Sequence, residues 1–383
     1  MKSALNENQL TIFLEGRIDS SNANDIGNEI DSIRNENKYE SLVLDFEKLE
    51  YISSAGLRQI LRLKKEISDL HIINVNGEVY DILEMTGFTE MIDITKAFRT
   101  VDISNCELIG SGSNGKVYRL DEENVIKVYK PNASLDDITR EKDLARTALI
   151  MGINTAISYD VVKVGDCYGS VFEMLKAKSI SKWILGDHDH LGDYVKVFSD
   201  FLKEIHSTVV TDEKIPDQKK IVLHWAEFLE GYIDDEHYNK LIRLINEVPD
   251  DNHLIHGDYH TSNVHYDGKE AILLDMDTIA RGNPVFEFGA LFNTYKGFGI
   301  SNPDTIIKYL KLDIITAYQI LDLTFRNYFN SNEYYEQLIK AKIVGFTRLL
   351  RRTIKREPEN TIMIESIKAE LLDSLDRCDS LAL

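Results

Sequence analysis

The stretch LIHGDYHTSNVHYDGKEAILLDMDTIA, residues 254–280, contains the most informative spacing in the sequence. It holds the tripeptide HGD ending at Asp258, then Asn263 five residues later, and then Asp275 at the end of the apolar run AILLD. Phosphoryl transfer requires such groups: an aspartate that orients a hydroxyl and accepts its proton, and Asn and Asp oxygens that hold Mg²⁺ on the phosphates. The alternative is a structural role, with Asn263 in a turn and Asp277 as a capping group.

A glycine-rich segment precedes this stretch, LIGSGSNGKVYRL at residues 108–120. Its glycines, Gly110, Gly112 and Gly115, fit a dinucleotide-binding turn, a flap over the phosphates of ATP, or an ordinary glycine turn. A dinucleotide-binding turn leads directly into a helix, whereas here the strand-like KVYRL follows, and then an acidic turn and the strand-like VIKVYK. The glycines are therefore predicted to bridge two strands, in a hairpin whose backbone N–H groups can cover a triphosphate.

Two charged residues that follow the glycines suit a phosphate site. Lys127 lies in the strand motif V-I-K, and Glu141 lies in the helix-like segment DDITREKDLARTALIMGI. A lysine held by a carboxylate can pair with the α- and β-phosphate oxygens of a nucleotide. Lys130 is a competing candidate with poorer strand alternation, and Glu141 can alternatively be a solvated helix charge.

Residues 105–383 resemble the kinase-like superfamily of aminoglycoside and choline phosphotransferases. HGDYHTSN matches that family's H-G-D-x-x-x-x-N loop, and LLDMDTIARGNPVFEFGAL matches its segment I-D-x-x-x…G-x-P…D-L-A. Two features depart from the family pattern. The complete G-x-G-x-x-G-x-V is nearer to protein kinases, and Glu287 stands where the family usually has Asp, at a position that anchors the C-terminal lobe.

The resemblance implies a role for each of these residues. Asp258 is the catalytic carboxylate, and Asn263 and Asp275 are the ligands of Mg²⁺. The residues that bind ATP are Gly110, Gly112, Gly115, the pair Lys127 and Glu141, and Glu173 and Leu175 of the hinge VFEML, whose backbone meets adenine.

The first hundred residues alternate strand-like and helix-like segments, which indicates an α/β layer. QLTIFLEGRI, SLVLDF and LHIINV are strand-like, and SAGLRQILRLKKEISD places apolar residues on one helix face. The stretch LDFEKLEYISSAGLRQIL resembles the STAS domain of anti-sigma factor antagonists. That resemblance implies a phosphorylatable serine at Ser54, whose modification releases an anti-sigma-factor-like protein partner, although Ser53 stands where those regulators usually have Asp. An equally open alternative is that Ser53 or Ser54 only caps the helix.

The predicted architecture is an α/β STAS domain followed by a bilobal α+β protein-kinase-like fold, with a β-rich first lobe and a helical second lobe. Long helical segments are expected at 304–330 and 332–356. The predicted boundaries are 1–98 for the STAS-like domain, 99–104 for a linker, 105–177 for the first lobe and 178–383 for the second lobe.

Charge and composition bear on the class of partner. The formal net charge is −20, from 44 basic and 64 acidic residues, whereas nucleic-acid binding needs clustered positive charge, so no nucleic-acid partner is expected. One basic cluster is present, and its spacing fits the solvent-facing side of a helix, with a landing patch for an acidic partner as the alternative. The cluster consists of Arg348, Arg351, Arg352, Lys355 and Arg356.

The remaining composition predicts a cytoplasmic protein. No apolar run reaches the length of a membrane span, and the first residues lack the features of a secretory signal. Cys106, Cys167 and Cys378 are scattered and are expected to be free thiols. The histidines near 253–265 and 188–190 lack zinc-ligand spacing, and His256 is expected to brace the catalytic loop through hydrogen bonds.

The preferred functional hypothesis is a kinase that uses ATP and Mg²⁺ to phosphorylate a hydroxyl group of a small molecule, with the STAS domain as a docking or regulatory module. The complete glycine loop keeps a protein Ser/Thr kinase open as an alternative, with Ser54 as one target. A third hypothesis is a non-catalytic interaction protein that senses nucleotide, although no key residue is missing. The acceptor pocket is expected within 186–194 and 285–300, and an acidic lining would suit a cationic acceptor.

Overall fold

The computed structural model describes residues 1–112, 114–300 and 302–383. The described chain divides into two compact units. The first contains residues 1–106, 128–131 and 161–169, and the second contains 107–127, 132–160 and 170–383. All residues that the sequence assigns to ATP, Mg²⁺ and catalysis belong to the second unit, and Ser54 belongs to the first.

A five-stranded sheet with three helices occupies residues 2–96. The strands lie side by side in chain order; the first two are antiparallel, and each later neighbour is parallel. A 3₁₀ turn at Phe88–Glu90 precedes the last strand. The elements are β1 (Lys2–Asn6), β2 (Gln9–Ile18), α1 (Ala23–Glu36), β3 (Ser41–Ile52), α2 (Ser54–Glu66), β4 (Leu70–Val75), α3 (Gly77–Met85) and β5 (Asp93–Lys96).

The centre of this sheet is a row of fully buried aliphatic side chains. Ile12, Leu44 and Ile72 align across β2, β3 and β4, and none of them is exposed. Buried residues alternate with less buried ones along β2 and β4, whereas β3 has five consecutive buried residues at 42–46, and both patterns are easily recognised in a sequence. The strands predicted in QLTIFLEGRI, SLVLDF and LHIINV are confirmed. The strand β1 was not predicted, because all five of its residues are exposed and no burial pattern marks them.

The start of α2 distinguishes the two serines. The Ser53 hydroxyl accepts a hydrogen bond from the Ala55 N–H at 3.2 Å, so Ser53 caps the helix. Ser54 is the first residue of α2 and is exposed. A Cβ on Gly56 would lie 2.6 Å from Cγ1 of Ile52, so glycine at this position lets α2 pack closely on β3. The capping role therefore falls on Ser53 and leaves Ser54 accessible.

Residues 107–173 form a second five-stranded sheet and one helix. The strand order is β6-β7-β8-β10-β9, and β6 and β7 form an antiparallel hairpin. Gly110 lies in β6 and Gly115 begins β7, which confirms the prediction that the glycines bridge two strands. The elements are β6 (Glu107–Ser111), β7 (Gly115–Arg119), β8 (Asn124–Tyr129), α4 (Leu135–Ile150), β9 (Asp160–Val164) and β10 (Cys167–Glu173).

The rest of the described chain is mainly helical, with five short strands. In chain order, these elements are β11 (Lys178–Ser179), α5 (Ile180–Gly186), α6 (Leu191–Ser207), α7 (Gln218–Glu227), α8 (Asp235–Glu247), β12 (Leu254–Ile255), β13 (Val264–Tyr266), β14 (Ala271–Leu273), β15 (Ala280–Arg281), α9 (Val285–Tyr295), α10 (Asp304–Leu310), α11 (Ile314–Phe329), α12 (Tyr335–Arg356) and α13 (Thr361–Asp376). The helix α9 is buried along its whole length. Its backbone approaches α12 closely: a Cβ on Gly345 would lie 2.9 Å from the carbonyl oxygen of Gly289.

The helical prediction is correct for 332–356, which contains α12, and wrong in detail for 304–330. That stretch consists of α10 and α11, because Lys311 adopts a left-handed conformation with φ 60°. Asp313 then caps the new helix by accepting the N–H of Thr316 at 3.0 Å. Outside residues 113 and 301, no helix combines the length and the apolar character that crossing a membrane requires.

Candidate active site

The hairpin of β13 and β14 places the two predicted metal ligands side by side. Asn263 directly precedes β13, and Asp275 follows β14 after one residue. The N–H of Leu274 donates to the carbonyl of Asn263 at 2.8 Å, which closes the base of the hairpin. Nδ2 of Asn263 donates to the carbonyl of Asp258 at 3.1 Å, so its Oδ1 is the atom left for another ligand. The hairpin thus links all three sequence-predicted residues of the catalytic segment.

Lys127 of β8 joins this group from the second sheet. Its Nζ lies 2.6 Å from Oε1 of Glu141 on α4 and 3.0 Å from Oδ1 of Asp275. The Lys127 and Glu141 side chains are only 16% and 14% exposed, so water screens their attraction less than it screens a surface pair. The competing Lys130 is exposed. Lys127, Glu141 and Asp275 therefore form one cluster.

The residue Asp277 belongs to the same cluster, although the sequence suggested only a capping role for it. Burial, together with the nearby carboxylates of Asp275 and Glu141, raises the pKa of Asp277 to about 6. Its Oδ2 accepts a hydrogen bond from Nδ2 of Asn114 in the glycine loop at 2.9 Å. Asp275 itself has φ 63°, a left-handed conformation that costs energy for a residue other than glycine. In the sequence, the D-x-D formed by Asp275 and Asp277 was the feature that could have indicated a second acidic residue at this site.

The donor set of this cluster fits a divalent cation. Glu141, Asp275 and Asp277 surround one lysine, and the repulsion that raises the pKa of Asp277 would be relieved by a further positive charge. Carboxylate and amide oxygens are the ligands that Mg²⁺ prefers. In the described ranges, no group of three or more His, Cys, Asp or Glu is arranged to hold a metal by itself. An ion bound by Asn263 and Asp275 would take its remaining oxygens from phosphates and water.

The carboxylate of Asp258 contacts a chain of two uncharged groups. Burial lowers the pKa of His260, so its ring is neutral, and its Nδ1 accepts the N–H of Ser262 at 3.2 Å. The ring proton is therefore on Nε2, which lies 3.2 Å from the hydroxyl oxygen of Tyr309. The Tyr309 hydroxyl donates in turn to Oδ2 of Asp258 at 3.4 Å. In this series of hydrogen bonds from His260 to Tyr309 to Asp258, the Asp258 carboxylate only accepts.

A buried carboxylate holds the HGD loop in place. Glu287 of α9 is fully buried and accepts the N–H groups of His256, Gly257 and Tyr259 at 2.6, 3.1 and 3.4 Å. Burial raises the pKa of Glu287, but the nearby His206 and the N–H of Gly257 outweigh it and keep that pKa below the ordinary value. The sequence suggested an anchor of the C-terminal lobe at this position, and the contacts place that anchor directly on the loop.

The glycine of the HGD loop meets a steric and a conformational requirement. Gly257 has φ 80°, and a Cβ there would lie 2.6 Å from the carbonyl oxygen of Thr278. The Thr278 hydroxyl donates to the carbonyl of His256 at 2.7 Å. Nε2 of His256 donates to the carbonyl of Leu274 at 3.1 Å, which is the bracing contact expected for this histidine.

The glycine loop closes tightly and contacts the carboxylate cluster. The N–H of Gly112 donates to the carbonyl of Gly115 at 2.9 Å, and Gly110 pairs with Val117 across the hairpin. Ser113 lies outside the described residues. The hydrogen bond from Asn114 to Asp277 places the loop beside the cluster around Lys127.

The predicted hinge begins where β10 ends. Glu173 is the last residue of β10 and is exposed. The N–H of Met174 donates to the carbonyl of Glu123 at 2.6 Å, and no backbone bond within the described chain occupies the N–H of Leu175. Alternate residues of an extended segment point in opposite directions, so the groups of Glu173 and Leu175 face away from the Glu123 contact.

The basic cluster of α12 is not a uniform solvent-facing side. Arg348 is half-buried and donates through Nη1 to the carbonyl of Gly257 at 3.0 Å, so the predicted solvent-facing role is wrong for this residue. Arg352 lies one turn later, 5.4 Å from the ring centre of Phe298. The expected acceptor segment 285–300 is shortened. Because α9 is buried along its whole length, only residues 296–300 of that segment are available to line a pocket.

Comparison with known proteins confirms both resemblances. Residues 3–103 match the model of the STAS domain, and residues 105–307 match that of the phosphotransferase enzyme family. The protein BtrV of Bordetella bronchiseptica, named as an anti-sigma factor antagonist, is 27% identical over 95 residues, which cover 24% of this chain and 81% of that protein.

Solved structures with a related fold cover larger parts of the chain. A complex of the amicoumacin kinase hAmiN with AMP-PNP, Ca²⁺ and Ami is 15% identical, covers 77% of this chain and 93% of that chain, and has a TM-score of 0.46. The ADP-bound aminoglycoside phosphotransferase APH(2'')-Ib is 16% identical. The match covers 78% of this chain and 98% of that chain, with a TM-score of 0.45. The match to the phosphotransferase enzyme family covers more than half of this chain. The chain therefore belongs to that family, with a STAS domain preceding the phosphotransferase domain.

Proposed function

We propose that the chain is a kinase that transfers the γ-phosphate of ATP, in the presence of Mg²⁺, to a hydroxyl group of a small molecule. One observation carries this proposal: Nζ of Lys127 lies 2.6 Å from Glu141 and 3.0 Å from Asp275, beside a loop that presents Asp258. A lysine so held would pair with phosphate oxygens, as phosphoryl transfer requires.

In the proposed reaction, Asp258 acts on the acceptor. Its carboxylate orients the hydroxyl group and takes the proton as the hydroxyl oxygen bonds to the γ-phosphorus, and the bond from that phosphorus to the bridging oxygen of ADP breaks. The hydroxyl of Tyr309, bonded to Oδ2, fixes the orientation of Asp258. Glu287 and Gly257 keep the loop in the geometry that this step needs.

The nucleotide would be held by residues from both sides of the cleft. The N–H groups of the glycine loop at 110–115 would cover the phosphates, and the backbone groups of Glu173 and Leu175 would meet adenine. Asn263 and Asp275 would hold Mg²⁺, with Asp277 adding negative charge to the site. The ion, when bound, offsets the negative charge of the phosphates that repels the nucleophile.

The test compares Lys127 of β8 with Lys130, which follows the end of that strand. The chain is incubated with Mg-ATP and a panel of hydroxyl compounds, and ADP release and phosphate transfer are measured. Asp258→Asn is expected to lower the rate by about 10²- to 10⁴-fold. Lys127→Met should raise the KM for ATP and lower kcat, whereas the matched Lys130→Met, which changes an exposed lysine, should leave both unchanged. Equal rates in the wild type, Asp258→Asn and Lys127→Met would refute the proposal.

A protein target within the same chain is the second candidate, favoured by the exposure of Ser54. A phosphate on the first residue of a helix is stabilised by the helix dipole. Arg58 lies one turn later, is exposed, and has no ion pair in the described part of the chain. On this proposal the STAS domain is a regulatory or docking module that binds an anti-sigma-factor-like protein, and its phosphorylation changes that binding.

Intact-mass measurement after incubation with Mg-ATP tests the second candidate. The wild type and Ser53→Ala should gain one phosphate, and Ser54→Ala should gain none. An unmodified wild type that still phosphorylates a small molecule rejects the second candidate and leaves the first in place. Nucleotide binding without any transfer would favour a nucleotide-sensing interaction protein instead.

A further inference from the structure

The basic residues of α12 lack the carboxylate partners that an acidic chain would readily supply. Across residues 1–112, 114–300 and 302–383, no ion pair joins any of the five cations to an Asp or Glu. The chain has 64 acidic and 44 basic residues, so unpaired cations grouped on one helix are unusual for it. The five are Arg348, Arg351, Arg352, Lys355 and Arg356.

Arg352 is connected to the catalytic carboxylate by a short series of contacts. Its guanidinium lies 5.4 Å from the ring centre of Phe298. The Phe298 ring packs edge-on against Tyr309, with 5.8 Å between their centres. The Tyr309 hydroxyl is 3.4 Å from Oδ2 of Asp258. These contacts describe an aromatic wall with a reacting carboxylate at one end and a guanidinium at the other.

Arg348 and Arg352, one turn apart on α12, make different contacts. Arg348 is occupied, because it donates to the Gly257 carbonyl and lies 5.3 Å from the ring centre of Trp225. Arg352 is exposed, and none of the described residues forms a hydrogen bond with its guanidinium. Although part of Arg352 is exposed, the surrounding protein reduces its hydration; this and the nearby charges of Arg356 and Arg348 lower its pKa, against the smaller effect of Asp258. A bound anion would relieve that repulsion.

We propose, resting on the kinase function above, that Arg352, Phe298 and Tyr309 form an acceptor subsite for a small hydroxylated molecule that carries a carboxylate or a phosphate. The guanidinium would bind the anionic group through two parallel hydrogen bonds, and the aromatic wall would cover the carbon skeleton. The hydroxyl group to be phosphorylated would then face Asp258. The charged groups that act on Arg352 are the cations Arg348 and Arg356 and, in the opposite sense, the Asp258 carboxylate, so the end of the wall away from Asp258 is positive.

The test uses hydroxylated compounds of similar size that carry no charge, a positive charge or a negative charge. Glucose, glucosamine, gluconate and glucose 6-phosphate are offered to the full chain with Mg-ATP at fixed ionic strength, and the binding of each is also measured by calorimetry with the nucleotide-free chain. Gluconate or glucose 6-phosphate should bind more tightly, and be phosphorylated with higher kcat/KM, than glucose and glucosamine. A preference for one of the two anions identifies the recognised group as carboxylate or phosphate.

Arg352→Met and Lys355→Met each remove one positive charge from α12, the first next to Phe298 and the second next to Phe228. Arg352→Met should weaken binding of the preferred anion by about 10- to 100-fold, mainly through KM, because a hydrogen bond to a charged group is lost. Glucose should bind Arg352→Met and the wild type equally, and Arg352→Lys should recover part of the loss. Lys355→Met is the matched control, because the Lys355 ammonium lies over Phe228, 4.9 Å from its ring centre, instead of over Phe298.

The outcomes separate this inference from the kinase proposal. Anion binding that depends on Arg352, in a chain that transfers no phosphate, supports the subsite and refutes the kinase function. Phosphate transfer with a preference for glucosamine, equal binding of all four compounds, or equal losses in Arg352→Met and Lys355→Met overturns the subsite and leaves the kinase function standing. Absence of binding by both anions overturns it as well.

Discussion

Replacing Asp277 by asparagine should stabilise the nucleotide-free second unit at neutral pH. Burial and two neighbouring carboxylates raise the pKa of Asp277 from 3.8 to about 6, which corresponds to about 3 kcal/mol, since each tenfold change in proton affinity is worth ~1.36 kcal/mol. Partial solvent exposure reduces this to about 2 kcal/mol. Asparagine keeps an oxygen that can accept the hydrogen bond from Asn114 and carries no charge.

The sign of the pH dependence follows from the raised pKa. A carboxyl group whose folded pKa exceeds its unfolded value favours folding only while protonated. That contribution is complete below pH 3.8 and is lost as the pH rises through 6. The advantage of Asp277→Asn over the wild type should therefore be about 2 kcal/mol at pH 8 and about half of that at pH 5.

Urea unfolding followed by tryptophan fluorescence measures this difference. The two tryptophans, Trp183 and Trp225, both lie in the second unit, so their signal reports that unit alone. Asp189→Asn, at an exposed aspartate, controls for the loss of one charge. The reasoning is refuted if Asp277→Asn destabilises the unit at pH 8, or if its effect is the same at both pH values. With Mg-ATP present, the wild type should gain more stability than Asp277→Asn.

Three further substitutions test the packing around the sites. Gly257→Ala forces a Cβ to 2.6 Å from the Thr278 carbonyl oxygen at φ 80° and should cost about 1–3 kcal/mol in urea unfolding as well as lowering kcat; unchanged values would contradict the proposed loop geometry. Gly56→Ala places a Cβ 2.6 and 2.8 Å from two strand isoleucines and should cost about 1–3 kcal/mol, measured by circular dichroism, without changing ATP turnover. Tyr309→Phe removes the hydroxyl at Asp258 and should lower kcat by about 2- to 10-fold with an unchanged KM for ATP, and full activity would show that the contact has no catalytic use.

The sequence predicts most reliably where contacts are local. Asn263 and Asp275 flank a hairpin whose strands pair within a short segment, so their spacing already implies that they lie together. The buried positions of β2, β3 and β4 carry mostly apolar side chains, and this burial leaves a pattern in the chain. The glycine loop was assigned to a hairpin because the residues after it favour a strand.

Contacts between distant segments carry no such pattern. Arg348 reaches the Gly257 carbonyl across 91 positions, and its spacing on α12 is that of an ordinary charged helix surface. Asp277 resembles a helix cap until the carboxylates around it are known. The break between α10 and α11 depends on the left-handed conformation of Lys311, a residue type that does not signal a turn.

The sequence by itself determined the order of the two domains and the identity of the residues around Lys127 and Asp258, because motif spacing and strand periodicity are local properties of the chain. Only the tertiary structure decided which charges remain uncompensated: Asp277 next to two carboxylates, and Arg352 without a partner. The net charge of a segment is written in its sequence, but the electrostatic energy of each group depends on distance and burial, which exist only after folding.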